Sequence, residues 1–477
     1  MARVLFVQDN GVNENLGLMS VAAVLREAGH QVELLLTEEH GRRFIPLAAA
    51  FHPDVIGLSF MTGNRRWARA TASRLKAHLD TPIIAGGVHP TLFPEDIDFG
   101  VFDYACVGEG EYPMLELTDA LARGLPASGI QNLWVKGASG IVRNPVRDLI
   151  HDLDSLPMPY RQLYGKYEFI RQLPVKRFIT GLGCPFRCTF CHNPLEMEVF
   201  AGKGRYIRQK SVERVIAEIR DAREDGYLRR VHFSDDLFGL NRRWLDEFLA
   251  AYKRDVGLPF SCNVRVDLVD DGLARAMAEA GCWGVSFGIE SGSEHLRNEI
   301  LKKNLSDEAI LANARCMKKH GIRLVTSNIF ALPGETLDDA FKTLSLNQRL
   351  RPDYTRASIL LPYPKTEIAA QAVAAGLLPH DFSIASFDDP ANGGPPTLRL
   401  PHLRQLRNLR ATFNLAVRFP WLTPVVRRVV NWAPTWLLAP LRVTEGLENM
   451  AYHQLLNLAG LRYGLHVAST ALRDVWS

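Results

Sequence analysis

Short apolar runs alternate with helix-length segments over the first 125 residues of the chain. The runs are four to six residues long, as expected of strands buried on both faces, and the alternation is typical of a parallel sheet with helices on both sides. We therefore predict an α/β domain over residues 1–125. Its strands are predicted at Arg3–Val7, Val32–Leu36, Val55–Phe60, Pro82–Ala85 and Tyr104–Val107. Its helices are predicted at Leu16–Ala28, Arg42–Phe51, Arg65–His78, Pro94–Phe99 and Tyr112–Arg123.

A second alternation with a longer period begins at residue 176 and predicts a partial (β/α)6 barrel over residues 175–366. In such barrels the functional residues lie at the carboxyl ends of the strands. The strands are predicted at Lys176–Thr180, Arg230–Ser234, Phe260–Val264, Trp283–Gly288, Arg323–Phe330 and Tyr354–Leu360. Helices are predicted at Ser211–Asp225, Arg242–Asp255, Asp270–Glu279, Asp307–His320 and Leu337–Leu350. Between the two alternations, residues 126–174 mix glycine, proline and polar positions, which predicts a linker.

After the barrel we predict a C-terminal helical segment over residues 367–477. It contains a loop at Phe387–Pro396 and helices at Leu403–Phe419, Thr423–Trp432 and Glu445–Ala471. The uncharged run Val429–Leu441 has about 13 residues and two prolines, which is too short and too broken to span a bilayer. Helices rich in Trp and Arg leave two interpretations open: a cap with solvated arginines, or peripheral contact with the inner face of a membrane.

The composition is typical of a soluble globular protein of several domains, with 477 residues that are 47% hydrophobic and 23% charged. The net charge of +4 is uneven, because the segment from Arg399 onward holds ten arginines, no lysine and three acidic residues. That segment carries +7 and the rest −3, and no basic stretch interleaved with aromatic residues in the barrel predicts a nucleic-acid partner. No signal-peptide pattern and no disulfide framework are present, so we expect a cytoplasmic protein.

The loop after the first barrel strand carries three closely spaced cysteines, Cys184, Cys188 and Cys191, in the run G-L-G-C-P-F-R-C-T-F-C-H-N-P. A structural zinc site needs four ligands, and no nearby cysteine supplies a fourth. A [4Fe–4S] cluster is normally held by four thiolates, so three would leave one iron open to another ligand. Incidental packing and a partial zinc knuckle are the alternatives.

This loop resembles that of the radical S-adenosylmethionine (SAM) superfamily, whose pattern is C-x3-C-x-aromatic-C. In that family the open iron is chelated by the amino and carboxylate groups of SAM, and the aromatic residue, here Phe190, packs near the adenine. The ends of the next barrel strands also match the family, including the segments at Gly288–Ser293 and Leu332–Thr336, where Ala331 replaces the usual glycine. The resemblance implies that SAM is contacted by Ser234, Asp235, Asp236, Asn263, Arg265, Glu290 and Ser291. Taken singly, each carboxylate could equally be a helix cap or a surface ion pair.

The residues after the N-terminal strands include glycine pairs that allow a ligand to approach the backbone, although no G-x-G-x-x-G follows the first strand. The stretches Gly86–Thr91 and Val107–Glu111 resemble the Rossmann-like cobalamin-binding domain that precedes many radical SAM barrels. The D-x-H-x-x-G motif that supplies a cobalt ligand is absent here. The resemblance implies cobalamin contacts from Asn10, Gly11, Ser59, Met61, Thr62, Gly86, Gly87, Val88, His89, Gly108, Glu109 and Gly110. Alternatively, His89 is structural, or the domain binds nothing.

Together these features resemble the cobalamin-dependent radical SAM enzymes, whose cofactors are a [4Fe–4S] cluster, SAM and cobalamin. Such enzymes cleave SAM reductively, abstract hydrogen from an unactivated carbon and, in many members, transfer a methyl group from methylcobalamin. The resemblance implies a small-molecule substrate, and the apolar C-terminal segment favours a hydrophobic one such as a terpenoid, lipid or tetrapyrrole. It also implies an electron donor such as flavodoxin or ferredoxin.

Three alternatives remain at this point. One is an oxidative cyclase with the same cofactors and no methyl transfer, similar to the anaerobic magnesium-protoporphyrin monomethyl ester cyclase. A methylthiotransferase is disfavoured, because the N-terminal domain holds only Cys106, whereas those enzymes need a second three-cysteine cluster there. The third alternative is a non-catalytic iron–sulfur or cobalamin-binding sensor. Cys262, Cys282 and Cys316 lie on predicted buried elements and are interpreted as core residues.

Overall fold

The structure is a computed structural model that describes residues 1–10, 14–388, 398–438 and Leu441. The chain forms two compact units. The first comprises residues 1–172, 181–183 and 195–227, and the second comprises residues 173–180, 184–194 and the chain from Leu228 onward. Among the predictions above, Gly11, the helix at Glu445–Ala471 and most of the loop at Phe387–Pro396 lie outside the described residues.

The first unit is built on a seven-stranded sheet. Its strands are β1 Arg3–Gln8, β2 Gln31–Leu36, β3 Val55–Ser59, β4 Ile83–Gly86, β5 Tyr104–Cys106, β6 Leu133–Gly137 and β7 Gly140–Arg143. They lie in the order β2-β1-β3-β4-β5-β6-β7, and β1 to β5 pair in parallel as the apolar runs predict. The antiparallel hairpin β6–β7 falls within the predicted linker. β7 is fully exposed, and the apolar part of β6 is only Leu133–Val135, which is shorter than the runs that predict the buried strands.

The helices of this part of the chain include four of the five predicted over residues 1–125, together with shorter ones that were not predicted. The first helices of the chain are α1 Leu16–Glu27, α2 Thr37–His40, α3 Phe44–Phe51, α4 Arg65–Lys76, α5 Val88–Leu92, α6 Glu111–Ala122, α7 Glu168–Arg171, α8 Asn193–Val199 and α9 Val212–Arg223. The helix predicted at Pro94–Phe99 is wrong, since α5 and a 3₁₀ turn at Pro94–Asp96 take its place. Phe93 has a φ of −133° because the residue before a proline is driven out of the helical region.

The second unit contains the predicted partial barrel. The later strands of the chain are β8 Val175–Phe178, β9 Gly181–Leu182, β10 Arg208–Gln209, β11 Arg230–Phe233, β12 Phe260–Asn263, β13 Cys282–Glu290, β14 Arg323–Phe330 and β15 Tyr354–Ile359. Six of them form an all-parallel sheet in the order β15-β14-β13-β12-β11-β8, which confirms the predicted architecture. The short antiparallel pair β9–β10 belongs to the first unit.

Polar caps set where the helices of the second unit begin. These helices are α10 Arg242–Asp255, α11 Asp271–Glu279, α12 Asp307–Lys319, α13 Leu337–Leu350, α14 Glu367–Ala374, α15 Leu403–Arg418 and α16 Thr423–Trp432. The residue before each of α10 to α14 accepts a hydrogen bond from a backbone N–H in the first turn, which satisfies a donor that the helix leaves unpaired. The caps are Asn241, Asp270, Ser306, Thr336 and Thr366. They fix the length of each loop that follows a strand.

The C-terminal helices α15 and α16 pack on the outer side of the barrel. Their buried residues join β14 and α13 in one apolar cluster, in which Phe413 meets Phe330 edge to face at 5.3 Å. Arg404 and Arg427 are exposed, as the sequence suggests, and they also contact the protein: Arg404 donates to a backbone carbonyl, and Arg427 stacks on Phe341 at 3.9 Å. Arg410 is partly buried and also donates to a backbone carbonyl. No helix in the described part of the chain has the length and apolar character needed to cross a membrane.

Candidate functional site

The residue that leads from β8 towards the cysteine loop is held by a buried carboxylate. Thr180 is fully buried, and Asp235, just after β11, accepts hydrogen bonds from its backbone N–H at 3.1 and 3.2 Å and from its hydroxyl at 2.6 Å. Asp235 is only 4% exposed. We expected Asp235 to contact SAM, which stays a prediction. The structure shows that it positions the chain that enters the loop.

A glycine then turns the chain into the first cysteine. Gly183 has a φ of +87°, a conformation that a residue with a side chain adopts only under strain. A Cβ at this position would also lie 2.7 Å from the carbonyl oxygen of Tyr206. The glycine before the cysteine motif is therefore required by the backbone.

The three cysteine side chains of the loop are half-buried, and none of them forms a disulfide. Burial raises the pKa of the Cys184 and Cys188 thiols. Burial would also raise the pKa of Cys191, but hydrogen bonds from His192 and Asn193 outweigh it and lower that pKa. Thiolates are the ligand form, so these hydrogen bonds favour metal binding at Cys191.

This donor set fits an iron–sulfur cluster. Three free thiols on one loop match the ligands of a cluster with one open iron. Within residues 1–10, 14–388, 398–438 and 441, no group of three or more His, Cys, Asp or Glu residues could hold a single metal ion. A cluster is larger than one ion and accepts ligands that lie further apart, so the three cysteines of the loop fit a cluster.

The cysteine loop is tied to the turn that follows β13. Thr189 donates from its backbone N–H to Leu301 at 3.2 Å and from its hydroxyl to Ile300 at 2.7 Å. Phe190 is partly buried against an apolar cluster that includes Leu301 and Leu332. Its predicted position beside adenine stays a prediction, while its packing shows a role in seating the loop.

Arg265, which the resemblance predicts to contact SAM, packs against the same loop. Its guanidinium lies over the ring of Phe186 at 4.0 Å, pairs with Asp267 at 2.9 Å and donates to the backbone oxygens of Lys303 and Asn304. These contacts use most of the donors of the guanidinium. Contact with SAM stays a prediction, whereas a link between the cysteine loop and the Lys303 turn is what the structure shows.

Three more of the predicted SAM residues, Ser234, Asp236 and Asn263, lie at the same edge of the sheet. The hydroxyl oxygen of Ser234 is buried and has no hydrogen-bond partner within the described part of the chain. Asp236 is exposed beside it, and Asn263 donates to the backbone oxygen of Asp235 at 3.1 Å. A buried hydroxyl without a partner costs free energy unless a ligand or water satisfies it. Ser234 is therefore well suited to a polar ligand such as SAM.

The end of β13 carries a buried ion pair between Glu290, which was predicted as a site residue, and Lys303, which was not. Glu290 lies 3.0 Å from Lys303, and both side chains are about nine-tenths buried. Glu290 has a φ of +65°, and the pairing of β13 with β14 shifts register there. Ser291 is fully buried, and its hydroxyl accepts from Ser293. Lysine is almost always solvated, so nothing in the sequence marks Lys303 as part of the site.

In the first unit, the predicted cobalamin residues collect at the carboxyl ends of β1, β3, β4 and β5, where open parallel sheets bind ligands. Gly87 has a φ of +96°, and a Cβ there would lie 2.9 Å from the backbone of Phe60. Met61 is 63% exposed at the end of β3, an apolar side chain suited to the flat face of a corrin ring. The others at these ends are Asn10, Ser59, Gly86, Val88, Gly108 and Gly110.

Three of the predicted cobalamin residues, Thr62, His89 and Glu109, use their side chains in contacts with other residues of the protein. His89 is 1% exposed, with one ring nitrogen 3.2 Å from the hydroxyl of Thr62 and the other 3.2 Å from Asp96. Such a histidine is held as a structural residue and has no nitrogen available for cobalt. Glu109 pairs with Arg208 at 2.6 Å and accepts from the backbone of Ile150 at 2.7 Å.

Comparison with known proteins agrees with this geometry. Residues 178–346 match the radical SAM superfamily and residues 2–118 match the B12 binding domain. An uncharacterized methyltransferase of Pyrococcus horikoshii is 31% identical over 373 residues, which cover 76% of this chain and 79% of the relative. The chain belongs to the cobalamin-dependent radical SAM enzymes. At the level of this family, the predicted cofactors (a [4Fe–4S] cluster, SAM and cobalamin) are confirmed.

Two further relatives are more distant. The cytidylyl-2-hydroxyethylphosphonate methyltransferase of Streptomyces wedmorensis is 26% identical, over 64% of this chain and 67% of the relative. The anaerobic magnesium-protoporphyrin IX monomethyl ester cyclase of Rubrivivax gelatinosus is 25% identical, over 66% of this chain and 58% of the cyclase.

Two solved structures share the fold. The methyltransferase TsrM of Kitasatospora setae, solved with tryptophan and a SAM analogue, has a TM-score of 0.64 at 21% identity, covering 78% of this chain and 76% of its own. OxsB, solved with aqua-cobalamin and SAM, has a TM-score of 0.72 at 18% identity, covering 100% of this chain and 80% of its own.

Proposed function

We propose that this chain is a radical SAM C-methyltransferase that acts on an unactivated carbon of a small, hydrophobic metabolite. The observation that carries the proposal is the 31% identical relative, aligned over 76% of this chain and named as a methyltransferase. The relative at 26% identity is also named as a methyltransferase. When bound, the three cofactors supply an electron, hydrogen abstraction and a methyl group.

In this proposal the chain's own residues bind the cofactors and orient them. Cys184, Cys188 and Cys191 hold the cluster, and the half-buried state of their thiols leaves the loop open to a ligand. The Ser234 hydroxyl and the Asp236 carboxylate offer polar contacts to SAM at the end of β11. Orientation of this kind makes the reacting groups close and correctly placed, which is the main contribution a protein makes to cofactor chemistry.

Two alternatives keep the same site. An oxidative cyclase is favoured by the relative at 25% identity, which is named as a cyclase. A non-catalytic sensor would bind the cofactors without cleaving SAM. The methylthiotransferase remains disfavoured, because Cys106 is the one cysteine in residues 1–125 and its thiol is buried, with a pKa raised to about 12 by that burial.

The deciding experiment is anaerobic reconstitution with iron, sulfide, cobalamin and methyl-labelled SAM, followed by incubation with terpenoid, lipid and tetrapyrrole fractions. Methyl transfer gives 5′-deoxyadenosine, S-adenosylhomocysteine and a product that carries the labelled methyl group. 5′-Deoxyadenosine with an unlabelled, oxidised product would indicate the cyclase, and no SAM cleavage would indicate the sensor. The variant with Cys184, Cys188 and Cys191 all changed to Ala should be inactive. Cys316→Ala, which alters a partly buried thiol on α12, should not be.

We propose a cytoplasmic setting with a flavodoxin or ferredoxin as electron donor, and peripheral contact with the inner face of a membrane. Exposed apolar side chains on and just before α16 support the membrane contact. Val425 and Trp432, 54% and 65% exposed, are spaced to share one face of α16, and Trp421, 74% exposed, lies in the 3₁₀ turn that precedes the helix. Residues 398–441 contain no acidic residue, which suits an anionic lipid surface.

A further inference from the structure

The ammonium group of Lys303 is held in a buried ion pair. It lies 3.0 Å from a carboxylate oxygen of Glu290, and the two residues are 9% and 7% exposed. Gly288 makes the room, because a Cβ there would lie 1.8 Å from that oxygen and 2.9 Å from the ammonium nitrogen. Burying an ion pair costs desolvation free energy, so the arrangement calls for a purpose other than stability.

The turn that carries Lys303 is held in an uncommon conformation. It follows a π-helical segment at Leu296–Ile300, and both Lys302 and Asn304 have positive φ angles, 53° and 52°. Arg297 is fully buried inside the turn and donates to Leu305, Ser291 and Asp307 at 2.7 to 2.8 Å, while its carbonyl accepts from the backbone of Lys303. Such strain persists only where surrounding contacts enforce it, and it is typical of functional sites.

The same turn is fastened to the cysteine loop. Thr189, next to Cys188, bonds to the turn through both its backbone N–H and its hydroxyl. Arg265 joins the loop to the turn from the other side, stacking on Phe186 and donating to the carbonyl of Lys303. These contacts hold the turn that carries Lys303 against the loop that carries Cys184, Cys188 and Cys191.

A cluster held by three thiolates gains one negative charge when it takes up an electron. A cation fixed nearby stabilises the reduced form more than the oxidised form, and a carboxylate does the opposite. We propose that Lys303 is a positioning residue whose charge raises the reduction potential of the cluster at Cys184, Cys188 and Cys191, with Glu290 as its counter-ion. The proposal rests on the cluster and not on methyl transfer, so the two can fail separately.

The test is a dithionite titration of the reconstituted protein, followed by the electron paramagnetic resonance of the reduced cluster, with no substrate present. Lys303→Met should lower the midpoint potential, and Glu290→Gln should raise it. Lys303→Arg keeps the positive charge and should leave the potential at the wild-type value. Lys302→Met is the matched control, because Lys302 is the neighbouring lysine and is half exposed, and it should leave the potential unchanged.

Iron content is measured first in every variant. If the Lys303→Met protein does not retain its iron, the midpoint potential of the Glu290→Gln protein alone tests the proposal. An unchanged or lowered potential in a Glu290→Gln protein that retains its iron overturns the proposal. Shifts of the same sign in Lys303→Met and Glu290→Gln would indicate distortion of the loop and overturn it equally. Failure to find a methylated product would bear on the proposed function only.

Discussion

Replacing Asp235 by Ala removes the acceptor that holds the residue before the cysteine loop. Two donors of Thr180 depend on it: the backbone N–H, 3.1 and 3.2 Å from the carboxylate oxygens, and the hydroxyl at 2.6 Å. Thr180 is fully buried, so water has no ready access to either donor. A buried donor left without an acceptor costs about 1–3 kcal/mol, which gives about 2–6 kcal/mol for the pair.

The assay is thermal unfolding of the cofactor-free protein, so that ligand binding does not add to the measured stability. At about 2–4 °C per kcal/mol, Asp235→Ala should lower the midpoint of the second unit by at least about 4 °C. Asp235→Asn keeps an acceptor oxygen and should lose less. Asp236→Ala, which removes an exposed carboxylate one residue away, should change stability by no more than about 0.5 kcal/mol.

The reasoning would be refuted if Asp235→Ala and Asp236→Ala unfolded at the same temperature. A Thr180→Val background supplies a further check, because it removes the hydroxyl donor in advance. Asp235→Ala should then cost less than it does in the wild-type protein. Equal costs in the two backgrounds would show that the 2.6 Å hydrogen bond contributes nothing.

Two further predictions concern pH and membranes. Burial raises the pKa of Glu335 to about 8, so between about pH 5 and 8 the unfolded chain has released a proton that the folded chain retains, and stability should fall with rising pH by up to about 1.4 kcal/mol per unit. The free energy of unfolding of Glu335→Gln, measured with denaturant, should not show this dependence on pH. If it falls with rising pH as steeply as in the wild-type protein, the assignment of the effect to Glu335 is contradicted. For the membrane, the protein should sediment with phosphatidylglycerol vesicles but not with phosphatidylcholine vesicles. Changing Trp421 and Trp432 to Ala should reduce that binding several-fold. Changing Leu125 and Ile141, which are exposed residues of the first unit, should not. Failure of the wild-type protein to bind either kind of vesicle would exclude the contact.

The order of strands and helices was predictable, because buried parallel strands leave apolar runs that are visible without a structure. Two details were not. In the hairpin β6–β7, β7 is fully exposed and the apolar part of β6 is only Leu133–Val135, too short to stand out as such a run. The segment around Pro94 has helical composition, but the proline forces Phe93 out of the helical region and the helix forms one turn earlier.

The site was predictable where chemistry dictates residue type and spacing, as for the three cysteines. The site was not predictable where the role of a side chain is to hold another residue in place. Asp235 and Arg265 have the chemistry of SAM ligands, yet the structure shows them bonded to Thr180 and to the Lys303 turn. Lys303 shows the reverse: its burial depends on the absence of a side chain at Gly288 and on the turn around Arg297. Such contacts are long-range and leave no local pattern.

The most direct test of the account is the electron paramagnetic resonance of the anaerobically reconstituted, reduced protein before and after SAM is added. We expect about four irons per chain and a cluster signal that changes when SAM binds the open iron, as a three-thiolate cluster requires. The protein lacking all three thiols of Cys184, Cys188 and Cys191 should show no signal. A four-iron signal that SAM leaves unchanged, or one that survives the loss of all three thiols, would contradict the account.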